Sequence, residues 1–222
     1  MLTDIERFKA LPQTAQDSIL EKRRDWNVGH DWWDSVYEQF IEKMKEEGIE
    51  VLTKTVRAYR GNNYETPAIY FSGFSSQGDG ACFEGRVDDW DIVLRKQDFP
   101  LLLKHFDEFT CMQLRWYSSG NYCHENTLSF NDDYVELVEP GDVSALRRIA
   151  LEQLHKELTL EWERFKEHFK EVVKSHCRSL YEDLEEEHVH LTSDEAILES
   201  LSTNDMLDEL IKEYENEELE SA

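Results

Sequence analysis

Residues that do chemistry in other proteins cluster first at Tyr70-Phe71-Ser72-Gly73-Phe74-Ser75-Ser76-Gln77-Gly78-Asp79-Gly80-Ala81-Cys82-Phe83-Glu84-Gly85, where four of the nine glycines fall within sixteen residues. Ser75, Ser76, Asp79 and Cys82 beside the Gly78-Asp79-Gly80 core suggest a phosphate cradle or a nucleophile site. A phosphate loop, however, runs into a helix N-terminus and usually carries a lysine. This one has no lysine and runs into Phe83-Glu84-Gly85-Arg86-Val87, a strand-like stretch. No G-x-S-x-G elbow is present either. Glycine supplies backbone freedom that no other residue gives cheaply. Gly78, Asp79 and Gly80 are therefore expected to form a sharp structural turn between two strands.

Other clusters fare similarly. Asp79, Glu84, Asp88, Asp89 and Asp91 are hard-cation ligand types, but they lack the alternating spacing and terminal glutamate of a helix-loop-helix calcium site; a solvated strand end is the simpler reading. His188 and His190 stand beside Glu185, Glu186 and Glu187. On a helix, residues two apart point about 200° away from each other, whereas a zinc pair needs helical spacing of four. Cys123-His124-Glu125 contains a thiol and an imidazole, yet adjacent residues rarely present their side chains to one another. No catalytic residue, metal ligand or cofactor site is assigned.

The charge distribution says more. The net charge is -25, and Tyr181 to Ala222 holds sixteen acidic residues against the single basic Lys212. Such a field repels nucleic acid and anionic membrane and attracts basic partners. The segment reads as a solvated amphipathic face, as a docking surface for a basic protein, or as a nucleic-acid mimic. Spread along a helix, its net charge is about one per 4 Å, against about one per 1.7 Å for duplex DNA; alone it is a poor mimic. Glu195, Glu199, Asp208 and Glu209 are the acidic residues expected to meet a partner. Trp32 and Trp33 point about 100° apart on a helix, so either both are core or one is an exposed interface anchor.

These residues must be positioned by an α+β framework. Apolar spacing predicts helix from Thr14 to Gly48, broken near Asn27-Val28-Gly29-His30, with Asp31 capping the second half and Gly48 as the stop. Strands are expected at Ile49–Arg60, Ala68–Phe74, Ala81–Val87, Cys111–Tyr117 and Thr127–Val138, the last two joined across Ser118-Ser119-Gly120-Asn121. A short helix is expected from Leu101 to Phe106. Pro140-Gly141-Asp142 closes the sheet region. Val143, Leu146, Ala150, Leu154, Leu158, Trp162, Phe165, Phe169, Val172, His176, Leu180 and Leu184 then form one stripe on a helix of about forty residues. That is roughly 60 Å, longer than a small sheet can cover, so part of the stripe is expected to meet other helices or a second subunit. The helix should end at His188-Val189-His190. Thr192 or Ser193 should cap a restart, and one or two acidic helices should follow, broken near Ser202-Thr203-Asn204.

The scattered cysteines, Cys82, Cys111, Cys123 and Cys177, form no C-x-x-C pair and read as free thiols. No apolar run approaches a membrane span, and the first residues do not resemble a secretory signal. A cytoplasmic protein without membrane or direct nucleic-acid contact is expected.

The segment Ser72-Gly73-Phe74-Ser75-Ser76-Gln77-Gly78-Asp79-Gly80-Ala81-Cys82-Phe83-Glu84-Gly85 resembles one that recurs in a group of bacteriophage and prophage proteins. Leu180-Tyr181-Glu182-Asp183-Leu184-Glu185-Glu186-Glu187 with Leu191-Thr192-Ser193-Asp194-Glu195-Ala196 is similar to that group's second recurring segment. Members often carry the label antitoxin of a toxin–antitoxin stability system. The resemblance covers about thirty residues and carries no catalytic residues. It implies a phage-type protein acting in the cytoplasm of a bacterial host.

Together these readings predict an α+β protein: a small antiparallel sheet packed by N-terminal helices and one long helix, with an acidic helical C-terminus. The expected division is 1–190 and 191–222. The expected function is non-enzymatic: inhibition of a bacterial protein, either a toxin or an antiviral-defence component such as a CRISPR effector, by occluding a basic, nucleic-acid-facing surface. A homo-oligomer is expected, and no cofactor. The alternatives are a small-ligand enzyme using the glycine-rich turn and a self-assembling accessory protein.

Overall fold

Leu52, Ala68 and Glu84 close a ring of backbone hydrogen bonds that organises the β structure. In the computed structural model, which describes residues 3–57, 61–106, 112–118, 122–133 and 145–221, Leu52 N–H donates to Glu84 O (2.9 Å), Glu84 N–H to Ala68 O (2.9 Å), and Ala68 N–H to Leu52 O (2.7 Å). Three extended segments meet there, and each changes partner as it passes. The first segment is β1 (Ile49–Val51) and β2 (Thr53–Val56), the second β3 (Tyr64–Pro67) and β4 (Ile69–Ser72), and the third β5 (Gly80–Phe83) and β6 (Gly85–Val87). β2 pairs with β3, β4 with β5, and β6 with β1, all antiparallel. β7 (Gln113–Ser118) and β8 (Leu128–Asp133) extend the last pair into a four-stranded sheet ordered β1-β6-β7-β8. Backbone groups at the bends thus stay satisfied where the regular ladders stop.

The chain forms two compact units, Val36–Asp183 and Met1–Ser35 with Leu184–Ala222. This grouping falls elsewhere than the expected 1–190 and 191–222. In the larger unit, α3 (Asp34–Glu46) and the 47-residue α6 (Ala145–Leu191) supply aromatic faces. Phe40 meets Phe83 edge to face at 5.0 Å between ring centroids, Phe83 meets Trp116 at 5.5 Å, and Trp116 meets Phe169 at 5.9 Å. Trp162, Phe165 and Phe169 stack along α6, and Trp90 and Phe99 join them. From Leu158 onward α6 faces the core through Leu158, Trp162, Phe165, Phe169, Leu180 and Leu184 of the expected stripe, but Val173 and Cys177 are the buried residues where Val172 and His176 were expected, and those two are half-buried. None of residues 147–157 is buried, and Ile149 and Leu160 are 63% and 67% exposed.

The smaller unit is all helical. Phe8 from α1 (Asp4–Ala10) and Ile19 and Leu20 from α2 (Gln13–Glu21) share a core with Ile197 and Leu201 of α7 (Asp194–Thr203). Leu207 and Ile211 of α8 (Leu207–Ser221) complete it. Of the two expected N-terminal helices, then, α3 reaches the sheet, whereas α2, together with α1, buries its apolar face against the C-terminal helices. The physical reason is that α7 and α8 are too short to bury their own stripes, and α1 and α2 provide the complementary ones.

Several local expectations hold. Gly48 ends α3 at φ +77°, and Ser193 caps α7 by accepting from Ala196 N–H. Helix α5 (Pro100–Lys104) falls where a short helix was expected from Leu101 to Phe106, one residue earlier at its start and two at its end. Others need correction. Asp31 does not cap α3, which starts at Asp34 after a 3-10 turn at Trp26–Val28. The connection between β4 and β5 is a seven-residue loop, Gly73 to Asp79, rather than a tight turn. Two helices were not anticipated: α1, opened by a reciprocal Thr3–Glu6 cap, and α4 (Trp90–Lys96), capped by Asp89. Ala58, Cys111, Ser119-Gly120-Asn121, Pro140-Gly141-Asp142, Val143 and the expected strand residues beyond Asp133 lie outside the described residues.

Candidate functional site

The glycine-rich loop is organised from within. Asp79 Oδ2 accepts hydrogen bonds from the backbone N–H groups of Ser75 (3.0 Å) and Ser76 (2.7 Å). Those are the donors that a phosphate would need, and a carboxylate of this chain already occupies them. Gly78 has φ +105° and open space around it; Gly80 opens β5, where an added Cβ would lie 2.9 Å from Cys123 O. Gly80 is thus required by close packing against the Cys123-His124 segment, and Gly78 by its backbone angle. Tyr181 of α6 fixes the loop from outside, donating its hydroxyl to Gly73 O (3.2 Å) and meeting the Phe74 ring.

A second group, dispersed in sequence, is gathered by the three-way junction. Tyr70 and Cys82 are cross-strand partners. Lys54 Nζ lies 3.7 Å above the Tyr70 ring and donates to Ile69 O. Glu84 Oε1 accepts from Ser118 N–H (3.3 Å) and Tyr70 Oη (3.5 Å). Burial lowers the Lys54 pKa and raises that of Tyr70. Burial also raises Cys82 to about 11 and raises Cys123. Both thiols therefore stay protonated near neutrality, the opposite of what a nucleophilic cysteine needs. His124 caps the 3-10 turn that starts at Glu125, its Nδ1 accepting from Asn126 N–H (3.2 Å), and Glu125 Oε2 lies 3.0 Å from the same nitrogen. Sequence reading singled out Cys82 and Glu84 but missed Lys54, Tyr70 and Ser118. Only strand pairing brings these together, and no spacing in the chain announces it.

The remaining acidic residues near the sheet have local structural partners. Asp89 caps α4 through Ile92 N–H, and Asp91 makes a two-point pair with Arg95 (2.7 and 2.9 Å). Among the described residues no group of three or more His, Cys, Asp or Glu is placed to hold a metal ion.

The C-terminal acidic residues divide by face. Ile197, Leu201, Leu207 and Ile211 are fully buried, while Glu195, Glu199 and Glu209 are exposed. Asp208 differs: it pairs with Arg7 and Lys212 and is half-buried, so its charge ties α8 to α1. Hydrogen bonding to Lys212 leads the causes that hold its pKa below the usual carboxylate value. Arg24 ties α7 down in the same way, reaching Asp194 Oδ1 (2.6 Å) and Thr192 O (2.9 Å). Of the four acidic partner-binding candidates, then, three are presented outward and one is a structural ion pair.

Trp32 and Trp33 are both half-buried. They meet edge to face at 5.7 Å, and Trp32 lies against the His188 ring at 5.5 Å. Neither is sealed in a core. His188 and His190 lie on α6, which continues through both to Leu191, so the helix separates them as its geometry requires.

No curated protein and no solved structure matches the chain. No helix among the described residues is long and apolar enough to cross a membrane. One family model, described as Domain of unknown function (DUF8835), matches residues 32–194, from the Trp32–Trp33 pair through the glycine-rich loop and α6 to the start of α7, and the chain belongs to that family.

Proposed function

We propose that the protein is a non-enzymatic inhibitor that uses its acidic C-terminal helices to cover a basic, nucleic-acid-facing surface of another protein. The observation carrying this reading is the division of α7 and α8 into two faces. Their apolar residues are used up in the protein's own core, and Glu195, Glu199 and Glu209 are held outward on a fixed scaffold. A charged segment that served only solubility would need no such core. Fixed charges keep their mutual spacing, so they form a pattern that a basic surface can match. The self-filled loop at Asp79 and the protonated thiols weigh against an enzymatic reading of the glycine-rich segment.

The resemblance to phage and prophage proteins supports a partner in the bacterial host cytoplasm, either a toxin or an antiviral-defence component such as a CRISPR effector. The proposal also includes self-association, supported by the exposed Ile149 and Leu160 on the first turns of α6. The test is capture of the partner from host lysate with low- and high-salt washes, followed by binding kinetics. Association should slow with salt much more than dissociation speeds up. A partner whose affinity ignores both salt and the Glu195, Glu199 and Glu209 side chains would overturn the reading.

A further inference from the structure

Helix α6 carries two apolar side chains on the side away from its core. Ile149 and Leu160 are 63% and 67% exposed. They stand eleven residues apart, which is about three turns with an offset of about 20° around the axis, so they share one face. Leu158 and Trp162, both buried, point to the opposite face. Gln153 and Glu157 lie between the two apolar residues on the exposed side, and Gln153 Nε2 donates to Glu157 Oε1 at 2.8 Å. The polar groups at the middle of the face thus already satisfy one another. Glu152 and Lys156 share one flank of it, and both are exposed.

Charge sets this part of the helix apart. Residues 145–160 hold Arg147, Arg148 and Lys156 against Glu152 and Glu157, a net +1 in a chain of net -25. Two such chains repel each other over most of their surface, and here they can approach without that cost. A strongly acidic or strongly basic partner finds no field to match on this face. The face is also complementary to itself. A two-fold axis passing between Leu154 and His155 sets Ile149 against the partner's Leu160 and, by symmetry, Leu160 against the partner's Ile149. Antiparallel helices bring like flanks together, so Lys156 meets the partner's Glu152, and Glu152 the partner's Lys156, within one residue of level. A parallel pairing would instead set Lys156 against the partner's Lys156 and Glu152 against the partner's Glu152.

We infer that a second copy of this chain covers the Ile149–Leu160 face, the two α6 helices pairing antiparallel in that register. This rests on the self-association included in the proposed function and deepens it by fixing the direction and register of the contact.

The experiment compares full-length wild type, Lys156→Glu, Glu152→Lys and an equimolar mixture of the two variants by sedimentation equilibrium, with one variant fluorescently labelled in the mixture. Each variant alone places like charges together twice and should dimerise about three- to tenfold more weakly. Glu152→Lys makes the chain less negative, so a general charge effect would strengthen its association; weakening points to the specific contact. In the mixture every altered charge meets its opposite, and the mixed dimer should form with about wild-type affinity. Ile149→Ala and Leu160→Ala should each weaken the dimer by about tenfold or more, because symmetry counts each lost contact twice. All four positions are exposed, so helical circular dichroism should stay unchanged. In a second measurement, Ile149→Cys chains are mixed with Leu160→Cys chains, mildly oxidised and mapped by mass spectrometry. A link joining position 149 of one chain to position 160 of the other should form in the mixture, and links between two equivalent positions should not form in either variant alone. A dimer that the mixture does not restore, or one in which position 149 links to position 149, overturns this pairing and leaves self-association through another surface standing. A monomer mass at every concentration removes both.

Discussion

Two glycines of one segment are required for different reasons, and substitution separates them. At Gly85 an added Cβ would lie 2.5 Å from Trp116 Cζ2 and 3.0 Å from Glu50 O. Trp116 is fully buried among Phe83, Phe130 and Phe169 and cannot yield. Gly85→Ala should therefore cost about 1–3 kcal/mol or more by overpacking. Gly78→Ala meets nothing within 4 Å and pays only for its positive φ, about 1–2 kcal/mol. Thermal unfolding of both variants checks the order, with Gly85→Ala the less stable. His176 gives a pH prediction. Burial is the main cause that lowers its pKa from 6.5; Glu47 opposes the shift, and Lys43 and Lys96 add to it. The folded state thus prefers the neutral ring, and below about pH 6.5 the unfolded chain binds more protons. The contribution is present above 6.5 and is lost as pH falls through the lower folded value. Urea unfolding between pH 7.5 and 5 should show wild type losing more stability on acidification than His176→Gln.

Helices α7 and α8 are where charge and packing can be tested apart. Leu201→Ala or Ile197→Ala removes a fully buried side chain and should cost about 2–5 kcal/mol, read as lost helical circular dichroism and earlier melting. The triple change Glu195→Gln, Glu199→Gln, Glu209→Gln touches exposed positions and should alter stability by no more than about 0.5 kcal/mol, while lowering the association rate with a basic partner. Asp208→Asn should behave as neither, because it loosens the α1–α8 pairing through Arg7 without removing a displayed charge. Measured beside the triple variant, it should weaken stability more and association less. Helix α4 shows how far element-scale signals reach. Its Asp89 cap, first-turn Asp91 and last-turn Arg95 and Lys96 all stand in the sequence. Asp89 and Asp91 read instead as part of a five-residue acidic cluster, because aspartates and glutamates look alike before a cap is distinguished from a solvated residue.

For the whole molecule, the net charge of -25 makes association kinetics the informative measurement, since long-range fields act on encounter more than on dissociation. Raising salt from low to physiological should cut the association rate with the partner severalfold. Self-association is a separate question, answered by light scattering across a wide concentration range. The expected result is a mass above the monomer, reduced by a combined Ile149→Lys, Leu160→Lys change; a monomer mass at every concentration rules it out.

Local physics was legible in the chain because it depends on neighbours in sequence. The α6 stripe, the Gly48 stop, the Ser193 cap, the break between α7 and α8 and the antiparallel pairing of β4 with β5 all follow from periodicity and capping within a few residues. The acidity of the C-terminus is likewise a property of composition. What tertiary structure decided is which surfaces are consumed. It assigned α1 and α2 to the C-terminal helices, since amphipathic stripes do not name their partners. It turned Asp208 into an ion pair with a residue two hundred positions away, and left Glu195, Glu199 and Glu209 outward. It gathered Lys54, Tyr70, Cys82, Glu84 and Ser118 through a junction of three strands, and it placed the Asp79 carboxylate on the loop donors that a ligand would have used. Each of these depends on distances between residues far apart in the chain, which no one-dimensional pattern encodes.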